Sequence, residues 1–178
     1  MKHLIKSLIL VPVLFFFAAE SYGQAIGISY ENRSEKPTNG IGLHFEKDLS
    51  PLPVLTLNLR LHGTYFSEDY TSQATEVSEK SYEIGFGLLG GANLGIVAPY
   101  AGVGIGLDFF DREFETAGTL LLKEGSEQAF FYYGVVGLGV SALPFVRPYI
   151  EYRYRGITTD DYMPSENGTF AIGVQLRF

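Results

Sequence analysis

Phe170-Ala-Ile-Gly-Val-Gln-Leu-Arg-Phe178 places an apolar residue at every second position through to the last residue of the chain. Phe170, Ile172, Val174, Leu176 and Phe178 share one face, and Ala171, Gly173, Gln175 and Arg177 share the other. A strand sends successive side chains to opposite faces, so this segment reads as a strand with one wholly apolar face and one small or polar face. A strand of a membrane barrel has this pattern and needs only about 9 to 11 residues to cross.

The pattern recurs upstream. Strands are expected at about 24–32, 40–49, 54–66, 80–92, 98–112, 128–142, 147–157 and 168–178. Their apolar faces run through Ile26, Ile28 and Tyr30; Ile41, Leu43 and Phe45; Leu55, Leu57, Leu59 and Leu61; and Tyr82, Ile84, Phe86 and Leu88. They continue through Ala101, Val103, Ile105, Leu107 and Phe109; Tyr132, Val136, Leu138 and Val140; and Ile150, Tyr152 and Tyr154. The links alternate. Those around Ser50-Pro51-Leu52-Pro53, Leu94-Gly95-Ile96-Val97 and Leu143-Pro144-Phe145-Val146 are tight, whereas Arg33 to Asn39, Ser67 to Glu79, Glu113 to Glu127 and Thr158 to Asn167 read as longer, mostly polar loops. One short end and one long end describe an all-β, antiparallel, up-and-down barrel with both termini on the short-turn, periplasmic side.

Ahead of the strands, Lys2, His3 and Lys6 precede an apolar stretch from Leu8 to Ala19 and the small-residue site Ser21-Tyr22-Gly23. This is the form of a cleavable signal peptide over residues 1–23, leaving residues 24–178 as the barrel. The stretch is shorter than a spanning helix requires, and Pro12 interrupts it. Without Lys2, Lys6 and Glu20, the 13 basic and 20 acidic residues become 11 and 19, an acidic balance that argues against nucleic acid as a partner. Cysteine is absent, so no disulfide framework supports the exported chain.

Aromatic residues of the apolar faces collect at one height. Tyr30, Tyr65, Tyr82, Phe109, Tyr132, Tyr154 and Phe170 fall near the long-loop ends, the position of an interfacial girdle. The opposite phase carries Glu31, His44, Glu46, Arg60, His62, Glu83, Asp108, Glu151, Arg153, Arg155 and Arg177. An eight-stranded barrel is only just filled by its own side chains, so these charges are expected to pair within it as a plug rather than to line a channel with one sign. Glycines 27, 42, 85, 87, 102, 104, 106, 137, 139 and 173 share this inward phase, where they make room for Arg153, Arg155, Tyr100 and Tyr133. The Gly102-Val-Gly104-Ile-Gly106 run has a strand's period of two and no following helix, which excludes a nucleotide loop.

Pro99-Tyr100-Ala-Gly-Val-Gly-Ile-Gly106 and Arg147-Pro148-Tyr149-Ile-Glu-Tyr-Arg-Tyr154 resemble strand openings after periplasmic turns in the small eight-stranded outer-membrane barrels, the OmpA-like and OmpX-like family. Phe178, with Leu176 and Val174, resembles that family's signal to the barrel assembly machinery. The resemblance covers the chain after the leader. It implies a monomer in the outer membrane, in contact with lipid and lipopolysaccharide, with no cofactor and no metal; no peptidoglycan-binding domain is expected after the last strand.

Three functions suit such a barrel: a structural or surface-binding protein with exposed acidic loops, a narrow passive pore for ions or small hydrophobic solutes, and a lipid A-modifying enzyme. The loops carry Glu68, Asp69, Glu76, Glu79, Asp160, Asp161 and Glu166, with an apolar knot at Leu120-Leu121-Leu122. Loops on a rigid barrel are where binding usually resides. For the enzyme, His44 and His62 with Glu46, Glu83 and nearby serines are the candidates, but His44 reads as deep in its strand and only His62 as near the outer rim. The reading adopted is therefore non-catalytic, with the lumen residues structural and any extracellular ligand set by the loops.

Overall fold

A computed structural model describes residues 22–49, 52, 54–72, 75–116, 125–141, 143–157 and 166–178. Eight strands form one closed antiparallel barrel: β1 (Tyr22–Arg33), β2 (Asn39–Asp48), β3 (Leu55–Ser72), β4 (Thr75–Ala92), β5 (Val97–Thr116), β6 (Gly125–Val140), β7 (Val146–Ile157) and β8 (Glu166–Arg177). Each strand pairs with its sequence neighbour, and β1 closes on β8 from Ala25↔Arg177 to Arg33↔Thr169. Closure leaves the central strands no open edge, so backbone groups at membrane depth are satisfied between strands.

The apolar sets face outward. Ile28, Leu43, Ile84, Val103, Val136, Ile150 and Ile172 are all exposed on the protein surface, while their chain neighbours Ser29, His44, Glu83, Gly104, Val135, Glu151 and Ala171 face inward. Hydrocarbon at the outer wall is what makes such exposure favourable.

Strand extends into all four of the expected loops. β3 and β4 stay paired as far as Ser72↔Thr75, and β5 pairs with β4 up to Thr75↔Thr116. Glu68, Asp69, Glu76 and Glu79 therefore belong to strands, as does Glu113. The outward face turns polar above Tyr65, Tyr82 and Phe109, through Ser67 and Asp69, Lys80 and Ser78, and Asp111 and Glu113. The inner face keeps its alternation, with Phe66, Val77, Glu79 and Phe110 buried. A three-stranded sheet thus rises beyond the apolar belt. Arg33 ends β1 and Asn39 begins β2, so that connection is also shorter than expected. Leu120, Leu121, Leu122, Asp160 and Asp161 lie outside the described residues, and Glu166 falls in β8.

Candidate functional site

Chemistry-bearing side chains converge in the lumen. On the short-turn side, Arg60 of β3 sits directly opposite Glu46 of β2 and holds it through Nη2 at 2.6 Å and Nε at 2.8 Å. The same guanidinium donates to Glu151 of β7, which also accepts from the Tyr100 hydroxyl at 2.9 Å. Gln175 and Asn58 complete the Glu46 carboxylate at 2.8 and 3.3 Å.

On the long-loop side, Glu83 and Asp108 are direct cross-strand partners, a pair of like charges that is costly alone. Arg155 bridges them, reaching Asp108 at 2.8 Å and Glu83 as well. Arg33 adds a second bridge, 3.0 Å from Glu83 and 3.7 Å from Asp108. Between the two groups, Arg153 lies 3.4 Å from both Glu31 and Glu151 and 3.9 Å from Glu83. The charges form one connected chain down the barrel. Bidentate and bridging arginines suit this role because the planar guanidinium presents several donors at once.

The wall beside Arg153 and Arg155 is apolar, with Tyr133 and Val135 of β6 as their cross-strand partners. Leu89, Ala129, Phe131, Tyr133, Val135 and Ile157 form a buried cluster against which Tyr100 packs. Arg60 stacks 5.4 Å from the Tyr100 ring, Arg153 5.7 Å from Tyr133 and Arg155 5.5 Å from Phe131. Each arginine is therefore held between carboxylates and an aromatic face. Sequence periodicity missed this wall because β6 is apolar on both faces at Phe130-Phe131-Tyr132-Tyr133 and Val135-Val136.

The structure brings together ten of the eleven expected lumen residues: Glu31, His44, Glu46, Arg60, His62, Glu83, Asp108, Glu151, Arg153 and Arg155 are buried. Arg177 differs: it keeps the inward phase but sits half-buried at the mouth with Arg147, Gln24 and Asp48. The fourth arginine of the network is instead Arg33, at the opposite end of the barrel, which the sequence assigned to a loop. Arg33 closes the upper end, with Nε donating to the Glu35 and Pro37 carbonyls and its guanidinium 4.4 Å from the Phe66 ring.

The glycines are spaces for rings more than for arginines. A Cβ on Gly27 would stand 2.2 Å from His44 Cε1, and one on Gly85 2.3 Å from His62 Cε1. Gly87 and Gly104 lie under Tyr133, Gly137 under Tyr100 and Gly173 under Tyr149. Arg153 and Arg155 are not among these closest neighbours.

His44 and His62 are direct cross-strand partners, at one height rather than at different depths. His44 Nδ1 is 3.3 Å from the Tyr149 hydroxyl, and His62 Nδ1 is 3.4 Å from that of Tyr133. The buried Ser29 and Ser81 hydroxyls donate to Glu31 and Asp108. His44 Nε2 lies 3.9 Å from Glu46, but no Ser–His–acid relay is assembled among the described residues, because the histidine ring nitrogens approach tyrosine hydroxyls and the Ser29 and Ser81 hydroxyls go to acids. Among the described residues, no three His, Cys, Asp or Glu side chains are grouped to hold a metal ion.

The girdle candidates Tyr30, Tyr65, Tyr82, Phe109, Tyr132, Tyr154 and Phe170 are all exposed on the outer wall. Tyr65, Tyr82 and Phe109 are in register across β3, β4 and β5, with the tyrosine rings 4.8 Å apart. Val174, Leu176 and Phe178 are exposed at the short-turn end of the wall.

Solved structures share this architecture. A major outer membrane protein from Thermus thermophilus superposes with a TM-score of 0.73 at 12% identity, covering 88% of this chain and 99% of that one. Neisserial surface protein A gives 0.59 at 17% identity, covering 88% and 96%. Ail, the attachment invasion locus protein of Yersinia pestis, gives 0.55 at 15% identity, covering 88% and 97%. Identities this low establish a shared fold and nothing finer. No curated protein matches the chain in sequence. Residues 17–178, which include every strand, match the outer membrane protein beta-barrel domain, and the chain belongs to that family of outer-membrane barrels.

Proposed function

We propose that this protein is a non-catalytic, monomeric structural and surface barrel of the outer membrane, closed by its own lumen and acting through its long-loop end. The observation that carries the reading is the continuous chain of pairs from Glu46–Arg60–Glu151 through Arg153 to Arg155–Asp108 and Arg33–Glu83. With side chains from β1, β2, β3, β4, β5 and β7 joined across the axis, an ion would have to displace buried, paired charges to pass. The aromatic row at Tyr65, Tyr82 and Phe109 marks the outer membrane boundary in this reading, and Phe178 with Leu176 and Val174 forms the signal for barrel assembly. The leader is removed after residue 23. β1 already begins at Tyr22, where its register with β2 is irregular and Gly23 has φ +43°, so cleavage trims only the frayed end of that strand.

Above the boundary the outward face carries Asp69, Glu76, Asp111 and Glu113 against Lys80. The Yersinia protein has been crystallised with the heparin analogue sucrose octasulfate. An acidic surface on a chain of net charge −7 repels such a polyanion and favours cationic ligands, or divalent cations shared with lipopolysaccharide.

Planar-bilayer recording of the purified barrel distinguishes this reading from a narrow pore. The closed lumen predicts no steady openings, and steady openings abolished by changing Arg153 contradict it. Lipid A from deletion and overexpression strains is expected to keep its acyl pattern; a changed acyl count overturns the non-catalytic assignment.

A further inference from the structure

The described residues of the three tight turns and the chain end form a rim that is apolar outside and hydrogen-bonded within. Residues 49–54, 93–97 and 141–146 contain no Lys, Arg, Asp or Glu. They present Leu52, Val54, Leu94, Ile96, Leu143 and Phe145, and Ile96 and Phe145, at 67% and 69%, are even more exposed than Phe178 at 66%. In water so many exposed apolar side chains at one end are unfavourable, and soluble surfaces rarely gather them.

The polar groups of the rim are directed elsewhere. Neighbouring turns are tied by backbone bonds: Asn93 N donates to the Val54 carbonyl at 2.7 Å, Ser141 N to the Ile96 carbonyl at 2.6 Å and Arg177 N to the Phe145 carbonyl at 2.9 Å. Within the middle turn Leu94 N donates to the Val97 carbonyl at 2.9 Å, and Gly95 takes φ +82°. The polar side chains of Asn93 and Ser141 meet the Arg147 guanidinium at 3.0 and 2.9 Å, and Arg147 is buried at the lumen mouth. A loop can enter a low-polarity medium only when its backbone groups are satisfied internally, and these ties meet that requirement for the groups they join. The apolar rim is also continuous with the lipid-facing wall through Leu55, Val97 and Leu176.

We infer that the three tight turns bind phospholipid, seated in the interfacial layer of the inner leaflet of the outer membrane as a ring of lipid anchors. The inference rests on the outer-membrane reading and on the turns being periplasmic. It fixes the barrel's height: the aromatic row meets the outer boundary while the apolar turns hold the inner one.

Because the chain contains no tryptophan, single reporters are unambiguous. Ile96→Trp, Phe145→Trp and, as a wall control, Val103→Trp are refolded into phospholipid vesicles, with heat-dependent gel migration confirming each barrel. Quenching is read with lipids brominated near the headgroup end or near the methyl end of their chains, and with aqueous iodide. Ile96→Trp and Phe145→Trp are expected to be quenched more by the headgroup-end bromines than by the methyl-end ones and to resist iodide. Val103→Trp is expected to respond to the deeper bromines. Turn reporters quenched by iodide and blind to bromine, beside a bromine-quenched Val103→Trp, overturn the inference and leave the barrel reading intact; they would assign the rim to a periplasmic protein or a second copy. A Val103→Trp reporter blind to bromine overturns the outer-membrane reading on which the inference rests.

Discussion

Replacing Arg60 with leucine removes the hub of the lower lumen while keeping much of its apolar volume. Arg60 is buried and engages two carboxylates, Glu46 through two nitrogens and Glu151 through a third contact. Removing one partner of a buried ion pair typically costs about 3–5 kcal/mol, because the remaining charge is left without compensation. Here each orphaned carboxylate keeps other donors: Glu46 has Gln175 and Asn58, and Glu151 has Tyr100 and Arg153. The loss should therefore lie near the lower bound, about 3 kcal/mol, with roughly 0.5–1 kcal/mol more from the guanidinium lifted off the Tyr100 ring. Against a typical domain stability of about 5–15 kcal/mol, that is a large fraction. Urea unfolding in lipid vesicles, followed by gel mobility, measures it. The triple variant Arg60→Leu, Glu46→Gln, Glu151→Gln removes the stranded charges and should recover about 2 kcal/mol of the loss. The reasoning fails if Arg60→Leu costs less than about 1 kcal/mol, or if the triple variant is no more stable than the single one.

Gly27→Ala drives a methyl group into the His44 ring and should destabilise the barrel by about 1–3 kcal/mol, with His44→Ala in the same chain restoring most of it; urea midpoints of the four-member cycle provide the check. Glu68 accepts at 2.8 Å from both the Thr38 amide and the Thr38 hydroxyl, and the amide bond is the first cause of its lowered pKa, with Lys36 3.5 Å away adding to it. A depressed carboxylate stabilises above its unfolded pKa and loses that contribution as pH falls through the folded one. Exchange protection of the Thr38 amide should thus be full at neutral pH and fall only below the ordinary carboxylate range; an unchanged profile in Glu68→Gln would show that the carboxylate does not hold the segment. Spin labels at positions 61 and 84 should be accessible to oxygen in lipid, and labels at 69 and 80 to an aqueous nickel chelate; the reverse order would misplace the boundary set by Tyr65 and Tyr82.

Strand number, phase and closure were legible because the outer wall meets hydrocarbon and must be apolar at every second residue. The same contrast explains what was not legible. Above Tyr65 and Tyr82 the outer face is polar, so Ser67, Asp69, Ser78 and Lys80 alternate with Phe66, Val77 and Glu79 in a pattern that hydropathy alone reads as loop. Arg33 follows Glu31 at the strand period of two, but Asn32-Arg33-Ser34 carries no apolar residue to show that β1 continues. Arg177 has the correct phase and the wrong height: phase assigns a face, whereas membership of the network depends on depth. Position along the axis comes from the stagger between strands, such as Glu46↔Arg60 and Glu83↔Asp108, which no single strand's sequence specifies.

The interior then follows from size as much as from charge. Five acids, Glu31, Glu46, Glu83, Asp108 and Glu151, face four arginines, Arg33, Arg60, Arg153 and Arg155, in a lumen too narrow to hydrate them freely. An arginine paired only on one side would leave its guanidinium face against water or a void. The rings of Phe66, Tyr100, Phe131 and Tyr133 cover those faces. Tyr100, Phe131 and Tyr133 in turn fit only because Gly137, Gly106, Gly87 and Gly104 present no Cβ. Glycine, aromatic, arginine and carboxylate form successive layers across the barrel, so each substitution in one layer is felt in the next. In the lumen proposed to be closed, this coupling opposes partial opening: a single changed carboxylate releases an arginine that remains fixed by its ring, and a passage requires several layers to move together.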